Sequence, residues 1–150
     1  MNGQSFRFRL ERVRALRERH EDTAKEALAG AMLQHKRATD AVNVAAARVE
    51  RARTAQLEAT SAPMSAADLI ARQAYLERAE KAHMQGRHEL RRHELELARK
   101  RDALTEAAKE RQALERLKEN RRREHEREVA RQEGLALDEI AINGFRRKAA

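Results

Sequence analysis

The sequence predicts an all-α protein whose fold is a long antiparallel two-helix coiled coil, that is, a helical hairpin. Apolar residues recur every seven positions along most of the 150-residue chain, a period typical of helices that wind around each other. Charged residues make up 39% and aromatic residues 3%, a composition typical of long helices and not of a globular core. The only proline interrupts the repeat once, which predicts two helices joined by one turn.

The first helix is predicted over about residues 5–60, with a seam made mainly of alanine. Leu10 and Val13 continue this seam towards the N-terminus. Because alanine is small, a partner helix can approach closely, but each contact buries little apolar area. The series with seven-residue spacing consists of Ala24, Ala31, Ala38, Ala45, Ala52 and Ala59.

The turn is predicted over residues 61–65 and the second helix over about residues 66–132, within a single domain of residues 1–150. Pro63 cannot lie inside a helix, and Ser65 followed by Asp68 resembles a capping box. The second seam consists of Leu69, Leu76, Leu90, Leu97 and Leu104. We expect each helix to be on the order of 80–100 Å long.

His83 stands at the one position where the leucine series is interrupted. A polar residue in a seam commonly sets the register of the two helices. A partner contact and a pH-sensing role are the two alternatives that the sequence leaves open.

The C-terminal residues 134–150 are predicted to form a docking tail after the second helix. Gly134 is a candidate helix end, and the residues that follow it are more apolar and less charged than the preceding helix. A short apolar segment of this kind favours docking on a partner protein.

The residue pattern argues against an enzyme. The chain has no cysteine and no glycine-rich phosphate loop. His88 and His93 lie five residues apart, about 140° around a helix, so they cannot share a metal ion. We therefore predict no catalytic residues, no metal site and no cofactor.

The formal net charge of +8 favours acidic partners, which include nucleic acid, anionic lipid and acidic protein surfaces. Arginines alternate with Phe6, Phe8 and Leu10 at the N-terminus. This run is interpreted either as a binding segment for such a partner or as the solvated face of the coiled coil. Because no apolar run approaches the roughly 18 residues that span a membrane, we expect a cytoplasmic protein.

Three segments resemble the flagellar FliJ family. The opening Phe6-Arg-Phe8-Arg-Leu10-Glu-Arg-Val resembles the family's Phe-x-Phe-x-Leu-Glu-x-Val beginning. The segment Gln73-Ala-Tyr75-Leu-Glu is similar to its Gln-x-aromatic-Leu-Glu block, and Asp138-Glu139-Ile-Ala is similar to its Asp-Glu-x-Ala ending. These segments occur in the family's order and extend over almost the whole chain.

The resemblance implies a stalk-like component of the flagellar type III protein export apparatus, and hence a role in motility. Its implied partners are the hexameric export ATPase, whose central pore it enters and whose activity it promotes, the cytoplasmic domain of the membrane export gate, and the export chaperones. These partners imply a peripheral position at the inner face of the cell membrane. Nucleic acid is not favoured.

The family's partner-binding positions are carried over to the matching residues of this chain. Those expected at the two chain ends are Phe6, Phe8, Leu10, Asp138 and Glu139, and those expected on the two helices are Val42, Ala45, Val49, Tyr75, Leu76, Ala79 and His83. Two other functions remain open: a basic coiled-coil scaffold or nucleic-acid-binding protein, and the equivalent stalk of a virulence type III secretion system.

Overall fold

The described part of the chain consists of two α-helices connected by one turn. A computed structural model describes residues 5–149, with α1 at Glu11–Ala59 and α2 at Ala66–Ala149. The described part of the chain contains no β-strand. The predicted all-α helical hairpin is therefore confirmed.

Contacts divide the chain into two units. The turn unit is Asp22–Thr105, and the terminal unit is Met1–Glu21 together with Glu106–Ala150. Contacting pairs in the turn unit are Val42 with Gly86 and Arg53 with Glu80. Contacting pairs in the terminal unit are Glu11 with Lys118 and Glu21 with Arg111. Within each unit the α2 number falls as the α1 number rises, so both units are antiparallel helix pairs.

The first helix begins at Glu11, later than the predicted start near residue 5. Residues 5–8 have no regular secondary structure, and a turn precedes Glu11, whose amide donates to the carbonyl of Phe8 at 3.2 Å. Phe6, Phe8 and Leu10 alternate with arginines, a two-residue period that suits an extended segment and does not suit a helix. We refer to residues 5–10 as the N-terminal strap.

The second helix begins at Ala66 as predicted, and a side-chain cap explains this start. The amide of Asp68 donates to Ser65 Oγ at 3.1 Å, and this hydroxyl lies 2.6 Å from Asp68 Oδ2. The first amides of a helix have no partner inside the helix, so the serine satisfies one of them. Pro63 lies in the preceding turn, where its missing amide hydrogen carries no cost.

The predicted end of the second helix near residue 132 is not observed, because α2 continues to Ala149. Neither Gly134 nor Gly144 has the positive φ that a helix-ending glycine adopts. Both are surrounded by residues that support a helix, so each glycine lowers helix stability without ending the helix. The expected docking tail is therefore the helical end of α2.

The seam between the helices is thin. Among the described residues, the buried apolar side chains are Val49, Ala52, Ala79 and Leu97, and none of the large ones is fully buried. The predicted alanine series of α1 is buried or half-buried throughout. In the leucine series of α2, Leu69 is the exception, because half of its surface remains exposed. Stability must therefore come from many small contacts along the helices.

The closest described approach of a glycine to the opposite helix occurs at Gly86. A methyl group placed on its Cα would lie 3.4 Å from Val42 Cγ2, an ordinary van der Waals distance, whereas one placed on Gly30 would meet no atom within 4 Å. There is thus room for a methyl group at Gly86, and a longer side chain directed towards α1 would meet Val42.

Within residues 5–149, neither helix has an apolar stretch of the length that a membrane span requires.

These two glycines predict opposite responses to a large side chain. Alanine at either position should stabilise the protein by about 0.5–1 kcal/mol, because glycine loses more backbone entropy in a helix. Gly86→Leu should destabilise it by about 1–3 kcal/mol by forcing the helices apart, whereas Gly30→Leu should remain stabilising. Thermal unfolding followed by circular dichroism at 222 nm measures this difference. Equal shifts for the two leucine variants would contradict the close approach at Gly86.

Candidate partner-binding surfaces

The N-terminal strap and α2 form an open cleft in the terminal unit. The ring centroids of Phe6 and His125 lie 5.8 Å apart with a tilt of 55°. The cleft has a volume of about 680 Å³. Its lining combines apolar and cationic side chains: Phe6, Phe8, Leu10 and Leu117 with Arg7, Arg9, Arg121 and His125. We call this feature the basic cleft.

Ion pairs between the two helices hold the terminal unit in register next to the cleft. Arg14 contacts Glu11 at 2.7 Å on its own helix and Glu115 at 2.8 Å on α2. Lys118 reaches back to Glu11 at 2.9 Å. Hydrogen bonds from Arg14 and Lys118 lower the pKa of the Glu11 carboxyl below its usual value. The two acidic partners raise the pKa of Arg14, so its charge is retained at any physiological pH.

Glu21 is the one buried charged residue among those described, with 7% of its surface exposed. Arg111 Nε donates to Glu21 Oε2 across the two helices. This hydrogen bond raises the pKa of Arg111. Since a buried charge is costly without a partner, a shift of register that separated Glu21 from Arg111 would be penalised. The pair therefore favours one alignment of the helices.

The end of α2 beyond Val129 has no covering surface in the described structure. Every residue from 130 to 148 is exposed. The five large apolar side chains in this stretch are each more than half exposed: Leu135, Leu137, Ile140, Ile142 and Phe145. Two predicted contact residues, Asp138 and Glu139, lie among them and are exposed. An apolar stretch of this kind marks an interaction surface.

A local charge network stabilises the start of this uncovered stretch. Arg131 and Gln132 donate hydrogen bonds to Glu128, at 2.8 and 3.0 Å to its Oε1. These bonds, from Arg131 first, lower the pKa of Glu128 to about 2. The network consists of contacts within one turn of the helix, so it supports the helix without supplying a partner.

The predicted contact residues of the turn unit lie mostly in the seam. Val49 and Ala79 are buried, with 4% and 5% of their surface exposed. Val42, Ala45, Leu76 and His83 are half-buried, and Tyr75 is exposed. The buried side chains are used by the opposite helix, so only the exposed and half-buried ones present atoms to a partner.

Tyr75 borders a second, smaller cleft of about 410 Å³ in the turn unit. Arg72 lies beside it and donates from Nη1 to the carbonyl oxygen of Ala55 at 3.2 Å. This bond connects α2 to the last turns of α1. The cleft presents an aromatic ring and a positioned guanidinium group on one side of the helix pair.

The histidines of the turn unit face different environments. His88 is exposed, whereas His93 is half-buried and lines a cavity with Ala27 and Ala31 of α1. Their different exposure agrees with the predicted angular separation on the helix.

Among the described residues, no group of three or more His, Asp or Glu side chains is arranged to hold a metal ion.

The contribution of α2 to the basic cleft was not predicted from the sequence. Leu117, Arg121 and His125 carry no motif, and they acquire a role because the antiparallel register places them beside the strap. In an antiparallel hairpin that turns at Pro63, residues equally far from the turn lie opposite each other. Phe6 would by this rule lie opposite the part of α2 that contains these three residues. This pairing rule is the sequence signal that could have predicted the cleft.

Comparison with known proteins agrees with the resemblance noted in the sequence. The family model described as the flagellar FliJ protein matches residues 6–150. Neither a curated protein nor a solved structure shows a significant match to the chain.

The ion pairs of Glu11 predict a specific dependence on pH. A carboxylate whose pKa is lowered in the folded state stabilises the fold above its unfolded pKa, and this contribution is lost as pH falls through the lowered value. Glu11→Gln should therefore lower the unfolding temperature at pH 7. The gap to the wild type should narrow once the pH falls below the ordinary value of 4.5 and should close at more acidic pH.

Thermal unfolding of both proteins between pH 7 and pH 2 measures this effect. Glu94→Gln is a suitable control, because Glu94 is exposed and lies in the turn unit. A gap for Glu11→Gln that stays constant with pH would contradict the role of its charge.

Proposed function

The chain belongs to the flagellar FliJ protein family and is therefore a component of flagellar type III export, and from that membership we propose its role within the apparatus. It acts as a stalk-like coiled coil that binds in the hexameric export ATPase and promotes its activity. It also connects the ATPase to the cytoplasmic domain of the export gate and to export chaperones. The observation that carries this proposal is the family match over residues 6–150.

The ATPase-binding surface is assigned to the terminal unit. This unit holds the N-terminal strap and the uncovered end of α2, so both chain ends contribute to one helix pair. The proposed contact residues there are Phe6, Phe8, Leu10, Asp138 and Glu139. Support comes from the half-exposed apolar groups of the strap and from the exposed apolar side chains beyond Gly134. A slender helical end of this kind suits the narrow centre of a ring.

The gate-binding surface is assigned to the exposed edge of the seam in the turn unit. Tyr75, Leu76 and His83 present accessible atoms and are proposed to touch the gate's cytoplasmic domain. The half-buried Val42 and Ala45 are proposed to contribute to the same edge from α1. Val49 and Ala79 are proposed to act indirectly, by setting the helix separation that exposes this edge, and their burial supports this role.

The charge distribution favours protein partners over nucleic acid. Several arginines of the described chain already pair with glutamates, including Arg14, Arg53 and Arg111. Paired cations contribute less to the counterion release that drives binding to DNA. We accordingly propose protein partners, with membrane association occurring through those partners.

Loss of either chain end should abolish stimulation of the export ATPase. Two variants test this, one lacking Met1–Leu10 and one truncated before Gly134. The measurements are ATP hydrolysis by the hexameric ATPase and its pull-down with each variant. Since a few central side chains carry most interface energy, we expect about tenfold weaker stimulation or more.

Point variants separate this effect from loss of folding. Ile140→Ser with Phe145→Ser removes two exposed apolar groups at the end of α2. The matched control is Leu57→Ser with Ile70→Ser, which removes two equally exposed groups from the turn unit. Stimulation that is unchanged in either truncation would contradict the contact proposed for that chain end.

His83→Leu should separate stability from gate binding. Restoring leucine to the seam should raise the unfolding temperature, since it buries more apolar surface. Binding to the gate's cytoplasmic domain should weaken by about tenfold if His83 is a contact residue. Calorimetric titration measures the affinity, and His88→Leu is the exposed control. Higher stability with unchanged gate affinity would show that His83 serves the seam alone.

A further inference from the structure

The terminal unit carries two surfaces of opposite charge. The first is the basic cleft, in which an apolar floor is bordered by Arg7, Arg9 and Arg121. Arg7 and Arg9 are exposed, and the half-buried rings of Phe6 and Phe8 remain accessible between them. Such a cleft fits an apolar side chain flanked by carboxylates.

The second surface is the acidic helical segment of residues 133–145 at the uncovered end of α2. It contains Glu133, Asp138 and Glu139 but no lysine or arginine, and it is followed by the exposed cations Arg146, Arg147 and Lys148. Its large apolar side chains are each more than half exposed. An apolar segment with three carboxylates has the chemistry that the basic cleft accepts.

The acidic segment lacks packing partners within its own chain. Gly134 and Gly144 each lower the stability of this part of α2 by about 0.5–1 kcal/mol relative to alanine. All residues from 130 to 148 are exposed, so no tertiary packing offsets that cost within one chain. Docking on another surface would supply the missing burial.

We propose that the acidic segment of one chain docks in the basic cleft of a second copy, and that the exchange is reciprocal. The segment cannot reach its own cleft, because α2 is a continuous helix that leads away from His125. A two-fold axis near Ala130 sets residues 133–145 of each chain against residues 115–127 of the other. This alignment places Asp138 and Glu139 opposite Arg121 and Arg122. In the single chain these arginines pair with Glu124 and Glu119 within α2. Such exposed pairs contribute little, and docking exchanges them for pairs between the two chains.

The two-fold symmetry of this arrangement stabilises the proposed dimer. An isologous pair uses the same patch twice, so each favourable contact occurs two times and the assembly closes at two chains. Because only a short segment of each chain takes part, we expect the buried area to lie near the lower end of the roughly 1,200–2,000 Å² typical of stable interfaces. A reversible dimer of micromolar affinity, weakened by salt, is the expected result.

Self-association would use the surface that is proposed to bind the ATPase. The dimer and the ATPase-bound chain would therefore exclude each other. Dimerisation nevertheless requires no ATPase, because both complementary surfaces belong to this chain.

Sedimentation equilibrium of the full chain alone tests the proposal. Over about 1 µM to 1 mM, the range in which weak interfaces dissociate, the wild type should change from monomer to dimer and should not form larger species. Asp138→Arg with Glu139→Arg places positive charge in the segment, and Arg9→Glu with Arg121→Glu places negative charge in the cleft. Each double variant alone should dimerise at least about 100-fold more weakly.

An equimolar mixture of the two double variants provides the decisive measurement. In one contact of the heterodimer, the segment that now carries arginines meets the cleft that now carries glutamates. In the other contact, an unchanged segment meets an unchanged cleft. Both contacts are attractive, so the heterodimer should form with near wild-type affinity. The matched control is Arg91→Glu with Glu94→Arg, which reverses two exposed charges in the turn unit and should leave self-association unchanged.

Several outcomes would overturn the proposal. These are a wild type that stays monomeric at every concentration, double variants that dimerise as well as the wild type, and a mixture that fails to form the heterodimer. Circular dichroism of each variant confirms that helix content is retained. No ATPase is present in these measurements, so absence of a dimer would not contradict the proposed ATPase contact. Equally, absence of an effect on ATPase stimulation would not contradict the dimer.

Discussion

Close contact between two helix faces made of small residues is the constraint on which the other features depend. The alanine series of α1 and a glycine on α2 allow the backbones to approach, as at Gly86 and Val42. The same small side chains leave little apolar area to bury, and Val49, Ala52, Ala79 and Leu97 are the buried apolar residues among those described. The energy that holds each helix pair together is consequently spread along the seam, and no single side chain dominates it.

A thin seam specifies its register poorly, because one alanine resembles another. Charged groups supply the missing information in the terminal unit. Glu21 is buried against Arg111, and Arg14 bridges Glu11 and Glu115. Displacing the helices would leave Glu21 without this partner, at a cost greater than that of losing one alanine contact. The ion pairs therefore matter more for alignment than for total stability, since exposed pairs contribute little energy.

The candidate binding surfaces of the terminal unit lie where α2 is no longer paired with α1. The N-terminal strap stops being helical before Glu11, while α2 continues to Ala149. This mismatch produces the basic cleft on one stretch of α2 and an uncovered apolar helix on the next. Family membership assigns the chain to flagellar export, and the uncovered end of α2 offers a partner five large apolar side chains that are each more than half exposed.

The fold class and the position of the turn follow from a seven-residue period and one proline, because these depend on local spacing and on the chemistry of a single residue. The family follows from three short segments whose order can be read along the chain. Which predicted contact residues are accessible depends on the pairing of the two helices. Val49 and Ala79 are covered by the opposite helix, whereas Tyr75 remains exposed. Leu117, Arg121 and His125 join Phe6 in one cleft for the same reason: burial and proximity depend on the pairing of distant residues, which local patterns do not encode.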